Sequence, residues 1–236
     1  PAGSVHLAQT ATYTALGLDA QAQSKLAVIG DLICSAGFNI TGVTDPEEIE
    51  RFHLLDSLSL LRLEPVLAAR SIVDIGSGGG LPALILALAL KDARITALES
   101  QRKKCAYIER AAAALDLTNV TVCCRRAEDY GRASGREAHD AAVTRAVAAL
   151  PVVAEYSLPL LRLGGVMVAM KGAISDQECI QAQKALGILG ADGLDAVRLD
   201  PFAEARDRWA YVATKVRATP ERYPRRPGLP TKRPLG

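Results

Sequence analysis

The stretch Ser71-Ile72-Val73-Asp74-Ile75-Gly76-Ser77-Gly78-Gly79-Gly80-Leu81 decides the fold. A short apolar run breaks into a dense cluster of glycines, and an apolar helical stretch follows at once. Glycines between a strand and a helix let the chain turn tightly and let a ligand approach the main chain. Downstream, strand patterns over 94–98 (closed by Glu99), 119–123, 140–143 and 165–170 alternate with helical patterns, including 101–115 and 175–186. That alternation implies right-handed crossovers and a parallel, doubly wound sheet. Two last strand patterns, 196–199 and 209–216, are separated by only nine residues, too few for a crossover helix, so they form a hairpin. The expected fold is α/β and Rossmann-like: a mostly parallel seven-stranded sheet with a late antiparallel hairpin strand.

Upstream, apolar positions at helical spacing predict a helix over 24–36 ended by Gly37, and Asp45-Pro46-Glu47-Glu48 predicts the capped start of another. The first twenty residues, small and weakly patterned, read as frayed. The end of the chain, 219–236, contains five prolines and reads as an extended basic tail. The expected organisation is an N-terminal helical extension over 1–70, a ligand-binding domain over 71–218 and the tail. With 49% hydrophobic and 23% charged residues, the chain is globular rather than disordered. Its longest apolar stretch is broken by Pro82 and falls well short of the roughly 20 residues of a membrane span. Five cysteines, two of them adjacent, suit neither a disulfide framework nor metal-ligand spacing. They read as reduced, buried small hydrophobes in a cytoplasmic protein, with no metal, no membrane and no obligate protein partner implied.

Loops like 76–80 serve dinucleotides and S-adenosylmethionine alike, and Gly78-x-Gly80-x-x-Ala83 is itself a weak dinucleotide match. Asp74, two residues before the first glycine, would repel a pyrophosphate but suits a cationic cofactor. The late hairpin also favours a methyltransferase over a nicotinamide enzyme. Glu99 ends the second strand at the edge of the same crevice, where a carboxylate can accept from both ribose hydroxyls. Ala127 and Glu128 follow the third strand, where they could hold an adenine amine. A nicotinamide-dependent oxidoreductase, a methyltransferase acting on another RNA or a small molecule, and an inactive RNA-binding module are the alternatives.

Further motifs are Asn39-Ile40-Thr41, Thr44-Asp45-Pro46-Glu47-Glu48, His53-Leu54-Leu55-Asp56-Ser57-Leu58, Glu99-Ser100-Gln101-Arg102-Lys103, Thr144-Arg145-Ala146, Lys171-Gly172 and Tyr223-Pro224-Arg225-Arg226-Pro227-Gly228 with Lys232-Arg233-Pro234-Leu235. Together with the glycine loop and Pro82 they resemble the RsmG (GidB) family, bacterial methyltransferases of guanine N7 in 16S ribosomal RNA. The resemblance spans nearly all the chain from about Asn39. Ala83 stands where the family often has Gly, and Thr144 where it usually has Ser. The resemblance implies S-adenosylmethionine contacts at Gly76, Gly78, Leu81, Glu99, Ala127, Glu128 and Arg145, the last also being the one candidate for a catalytic role.

Guanine N7 has a lone pair free at neutral pH, so its methylation requires no proton removal and asks more for positioning than for a general base. In keeping with this, the chain has no Asn-Pro-Pro-Tyr motif after the fourth strand and no Pro-Cys or Thr-Cys nucleophile. Net charge is only +2, so any RNA surface must be local. Its candidates are Arg102, Lys103, Arg125, Lys171, Arg225, Arg226, Lys232 and Arg233, with 16S ribosomal RNA or the small subunit as partner. Because the tail carries no cofactor motif, it is expected to contact RNA and to be dispensable for cofactor binding.

Overall fold

The computed structural model describes residues 5–36, 43 and 45–236. Gly37 and the motif residues Asn39, Ile40, Thr41 and Thr44 lie outside them.

Helices α1 (Thr10–Ala15) and α2 (Ala20–Cys34) open the chain, and Asp19 caps α2 by accepting from the Ala22 amide at 2.7 Å. Residues 5–20 are not frayed. Val5 and Tyr13 are buried, Val5 N–H donates to Asp31, and the Tyr13 hydroxyl donates to Glu50 at 2.5 Å. The weak pattern hides two well-placed anchors. Asp45 caps α3 (Pro46–Ile49) through the Glu47 and Glu48 amides. The helix then widens into a π-helical turn (Glu50–Leu55), continues as α4 (Asp56–Leu58) and a 3-10 turn (Ser59–Arg62), and is followed by α5 (Glu64–Leu67).

The sheet follows: β1 (Ser71–Ile75), α6 (Ala83–Ala89), β2 (Arg94–Glu99), α7 (Arg102–Ala114), β3 (Val120–Cys124), α8 (Ala127–Gly131), β4 (His139–Arg145), α9 (Leu150–Ser157), β5 (Leu161–Lys171), α10 (Asp176–Leu189), β6 (Ala191–Arg198) and β7 (Trp209–Lys215). The strand order is β3-β2-β1-β4-β5-β7-β6, and β7 runs antiparallel to both its neighbours, as the short 199–208 connection requires. All five residues of β1 are buried, since apolar layers cover both sheet faces. Ile72 points into a layer with α2, the Pro46–Leu67 helices and α6; Val73 and Ile75 point into the other, with α9 and α10. Chain order reverses between β1 and β4, so a crevice opens beyond their carboxyl ends.

The five cysteines are free thiols, but only Cys105 is buried: Cys34, Cys123 and Cys179 are half-buried, and Cys124 is exposed, because it ends β3 at the sheet edge. Among the described residues no helix is long and apolar enough to cross a membrane.

The tail departs most from the sequence reading. It is folded onto the body and includes a short helix, α11 (Leu229–Lys232). Thr219, Tyr223, Pro224 and Pro230 are buried. Arg132 donates to the Pro224 carbonyl at 2.8 Å, and Arg136 donates to the Tyr223 and Thr219 carbonyls at 2.8 and 2.7 Å. The prolines limit the tail's own hydrogen bonding, and side chains from the body supply the partners its carbonyls need.

Candidate functional site

The glycine loop is built on two buried carboxylates. Asp74, at the heart of β1, accepts the Ala83 amide at 3.1 Å through Oδ2, and Ser77 donates to the Asp74 carbonyl at 3.0 Å. Asp74 Oδ1 is buried without a hydrogen-bond partner, and burial pushes this carboxyl up to about 6. Glu99 reaches across from β2: Oε2 accepts the Gly78 amide at 3.0 Å, and Oε1 accepts the Ser100 and Gln101 amides at 2.7 and 2.8 Å. A carboxylate offers about four acceptor positions. Three are taken by the main chain, so Glu99 can serve one further hydroxyl where the sequence alone suggests two. Gly76, Gly78 and Gly80 all have positive φ. A Cβ on Gly78 would meet only the Gly76 carbonyl oxygen, at 3.8 Å, so the space against this backbone is open for a ligand.

Two cavities meet at Gly76. One, of about 410 Å³, is lined by Gly76–Gly79 and Leu81, by Arg145 and Lys171 at the ends of β4 and β5, and by His53, Asp56 and Arg208. Arg145 donates to the Phe52 carbonyl at 3.1 Å, lies 3.2 Å from His53 Nδ1 and pairs with Asp56 at 3.6 Å. Asp56 also pairs with Arg208 at 3.4 Å. Ala146, next in the chain, takes a left-handed φ of 52°, which turns the backbone directly after Arg145. Burial, then the nearby Arg145 cation, pushes His53 down to about 4, so it is neutral at pH 7 and does not compete with Arg145 for Asp56. His53 and Asp56 stand one helical turn apart; that spacing was the only visible signal of their partnership. Nothing in the sequence marks Arg208.

The second cavity, of about 270 Å³, is lined by Glu99, Ser100, Ala127, Glu128 and, from two unexpected places, Tyr156 of α9 and Thr231 of the tail. Glu128 is buried and accepts the Gly228 amide at 2.9 Å. The cofactor candidates Gly76, Gly78, Leu81, Glu99, Ala127, Glu128 and Arg145 thus all border one or other of two cavities that share Gly76. The RNA candidates divide. Arg102, Lys103, Arg125, Arg226, Lys232 and Arg233 are exposed. Arg225 and Lys171, which the sequence suggests as surface charges, are half-buried and paired with acids. Arg225 grips the fully buried Glu155, with Nη2 to Oε2 at 2.6 Å, and Lys171 donates to Glu178 and to the Ala148 carbonyl, both at 2.8 Å.

Residues 32–200 match the family model described as GidB, rRNA small subunit methyltransferase G. The ribosomal RNA small subunit methyltransferase G of Rubrobacter xylanophilus is 44% identical over 201 residues, which cover 84% of this chain and 77% of that protein. That of Moorella thermoacetica is 42% identical over 198 residues, covering 84% and 82%. The chain belongs to the GidB family. It is a methyltransferase, and the nicotinamide alternative falls away. Solved structures agree on the fold. A Thermotoga maritima SAM-dependent O-methyltransferase superposes with a TM-score of 0.53 at 20% identity, covering 80% of this chain and 71% of that one. Aeropyrum pernix fibrillarin with natively bound S-adenosyl-L-methionine gives 0.51 at 20%, covering 68% and 73%.

The GidB crevice fits S-adenosylmethionine on its own features. An open space against Gly78 admits a ligand to the backbone, and the buried acids Glu99 and Glu128 suit hydroxyl and amine donors rather than phosphates.

Proposed function

We propose that this protein transfers the methyl group of S-adenosyl-L-methionine to N7 of a guanine in 16S ribosomal RNA, working in the cytoplasm on the small ribosomal subunit. The observation that carries the reading is a pair of cavities that share Gly76, one lined by Glu99 and Glu128 with Arg125 and Arg126, the other by Arg145, Lys171 and Arg208 with Asp56, in a chain of the GidB family. Gly76, Gly78 and Leu81 would hold the cofactor along the loop, Glu99 its ribose, and Ala127 with Glu128 its adenine. Arg145 would face its amino-acid end. The bound cofactor supplies an electrophilic methyl to the N7 lone pair, and the sulfur keeps the bonding electrons. The protein's part is to hold the two in line and exclude water. Arg145, braced by Phe52, His53 and Asp56, is positioned before any ligand arrives, so little reorganisation accompanies the reaction.

The RNA reading rests on charge placement. Arg102 follows the end of β2, Arg125 and Arg126 follow β3 and line the crevice, and Lys232 neighbours Thr231 on the same rim. Such a rim of exposed cations suits phosphates without reading sequence. The test is incubation of the protein and cofactor with small subunits or with naked 16S RNA, each lacking the modification, followed by nuclease digestion and mass spectrometry. 7-Methylguanosine is the expected product. A methyl group on any other atom would refute the N7 assignment, and no transfer to either substrate would refute the RNA reading.

A further inference from the structure

We infer that the C-terminal segment Arg225–Lys232 is part of the S-adenosylmethionine site, forming the wall on its adenine side, with Thr231 and Tyr156 as positioning residues for the cofactor. The inference rests on the placement of the cofactor proposed above. Three observations carry it.

First, Thr231 lines the same 270 Å³ cavity as Glu99, Ala127 and Glu128, and its hydroxyl lies 3.0 Å from that of Tyr156, another lining residue. Two hydroxyls in contact can rearrange donor and acceptor roles to suit a heteroaromatic edge, which presents both. Second, the tail is wired into the acid that faces the cavity: Gly228 N–H donates to Glu128 Oε1. That bond leaves Oε2 for a ligand donor and fixes the carboxylate's orientation, so the tail sets the aim of Glu128. Third, the segment is held where it is by a buried ion pair. Arg225 contacts Glu155 through its amide, Nε and Nη2 at 2.6–3.0 Å, and its Nη2 also donates to the Arg233 carbonyl at 2.8 Å, beyond α11. Pro230, buried, seats α11 beside α9, the helix that carries both Glu155 and Tyr156.

The consequence is a coupling. A cofactor that touches Glu128, Tyr156 and Thr231 adds contacts to a segment that presents the exposed cations Arg226 and Lys232, with Arg233 directly after it. Occupancy of the adenine side therefore orders the part of the chain that presents these charges, and by linkage, a polyanion bound to them raises cofactor affinity.

The experiment compares binding of S-adenosylhomocysteine by calorimetry to the full chain, to a chain ending at Gly228, to Thr231→Val and to Glu99→Ala, with amide hydrogen exchange of the tail followed in the full chain. Ending at Gly228 keeps the Arg225–Glu155 pair and the Gly228–Glu128 bond but removes Thr231. We expect this truncation to bind at least tenfold more weakly and Thr231→Val about threefold more weakly. Amides of 226–233 should exchange more slowly when S-adenosylhomocysteine is bound. If Glu99→Ala weakens binding while both tail variants bind like the full chain and tail exchange is unaffected, the tail is no part of the site. If all three variants bind like the full chain, the cofactor is not in this crevice, and the underlying site reading fails with the inference. Should the truncated chain not fold, Thr231→Val and the exchange measurement on the full chain decide the matter.

Discussion

The glycine loop after β1 and the C-terminal tail look alike in the sequence, since both are rich in residues that make no regular structure. Both are held to the body by buried carboxylates: the loop by Asp74 and Glu99, the tail by Glu155 and Glu128. They differ in where those acids come from. Asp74 sits at the loop's own base and Glu99 is 21 residues from the Gly78 it holds. Glu155 and Glu128 lie 70 and 100 residues from Arg225 and Gly228. A local anchor fixes a ligand loop as soon as its strand forms, whereas a distant one fixes a tail only after the sheet and α9 are in place. The tail is therefore the more breakable of the two.

The largest expected effect comes from removing the tail's anchor. Arg225→Gln leaves Glu155 as an uncompensated charge with no solvent exposure. Breaking a buried pair from one side costs about 3–5 kcal/mol. For a chain of this size each kcal/mol lowers Tm by about 2–4 °C. A drop of roughly 10 °C is thus expected in thermal unfolding of the apo protein, where a surface charge would give almost none. Glu155→Gln, which keeps acceptor capacity without the charge, should cost less. A Tm unchanged in Arg225→Gln would mean the Arg225–Glu155 pair adds nothing to what the Arg132, Arg136 and Glu128 hydrogen bonds and apolar contacts already hold.

Much of the fold was legible because the signals were local. β1, the glycine loop and Glu99 follow from a few adjacent residues, and the β6–β7 hairpin follows from a connection too short for a helix. The cofactor candidates Gly76, Gly78, Glu99, Ala127 and Glu128 lie at or just after strand ends, whereas Arg145 was named only by the family resemblance. The errors share the opposite cause. Residues 5–20 are ordered by Tyr13 meeting Glu50, 37 positions away, and the tail by partners still farther off. Arg225 and Lys171 looked like surface cations because the acids that pair with them, Glu155 and Glu178, carry no mark of their burial or reach. Tyr156 and Thr231 were missed altogether, since a hydroxyl brought into a cavity by tertiary packing leaves no motif.

A middle-sized effect tests the other cavity, where His53 braces Arg145. Its folded pKa of about 4 lies below the ordinary 6.5, so the unfolded chain binds more protons between those values. The stability His53 contributes is present above pH 6.5 and is lost as pH falls toward 4. Asp74 works the other way: with a folded pKa of about 6, it takes up a proton earlier when folded, so it gains stability over part of the same range. Wild-type unfolding reports the sum of these and other groups, His139 among them, which burial likewise holds down to about 4. The difference between wild type and His53→Gln isolates the histidine, and the stability gap should shift by about 1–3 kcal/mol in the variant's favour from pH 7 to pH 4.5. A constant gap would show that His53 is not held neutral beside Arg145.

The smallest effect on stability, and the one that best separates the tail's two roles, comes from replacing Arg226, Lys232 and Arg233 together with Gln. These side chains are exposed, unlike Arg225, and substitutions of that kind stay within about 0.5 kcal/mol. The triple variant should therefore melt like wild type. It should nevertheless bind 16S RNA more weakly, and its binding should depend less on salt. Each phosphate contact contributes about 0.7–0.9 to the slope of log affinity against log salt, so losing three lowers its magnitude by about 2–2.7. Gln keeps a polar side chain, and the tail's length and prolines stay, so the main change is the loss of three charges. If the slope matches wild type, the exposed tail cations face solvent in the complex. RNA must then be held by the remaining exposed cations, Arg102, Lys103 and Arg125, leaving the tail a purely structural and cofactor-facing element.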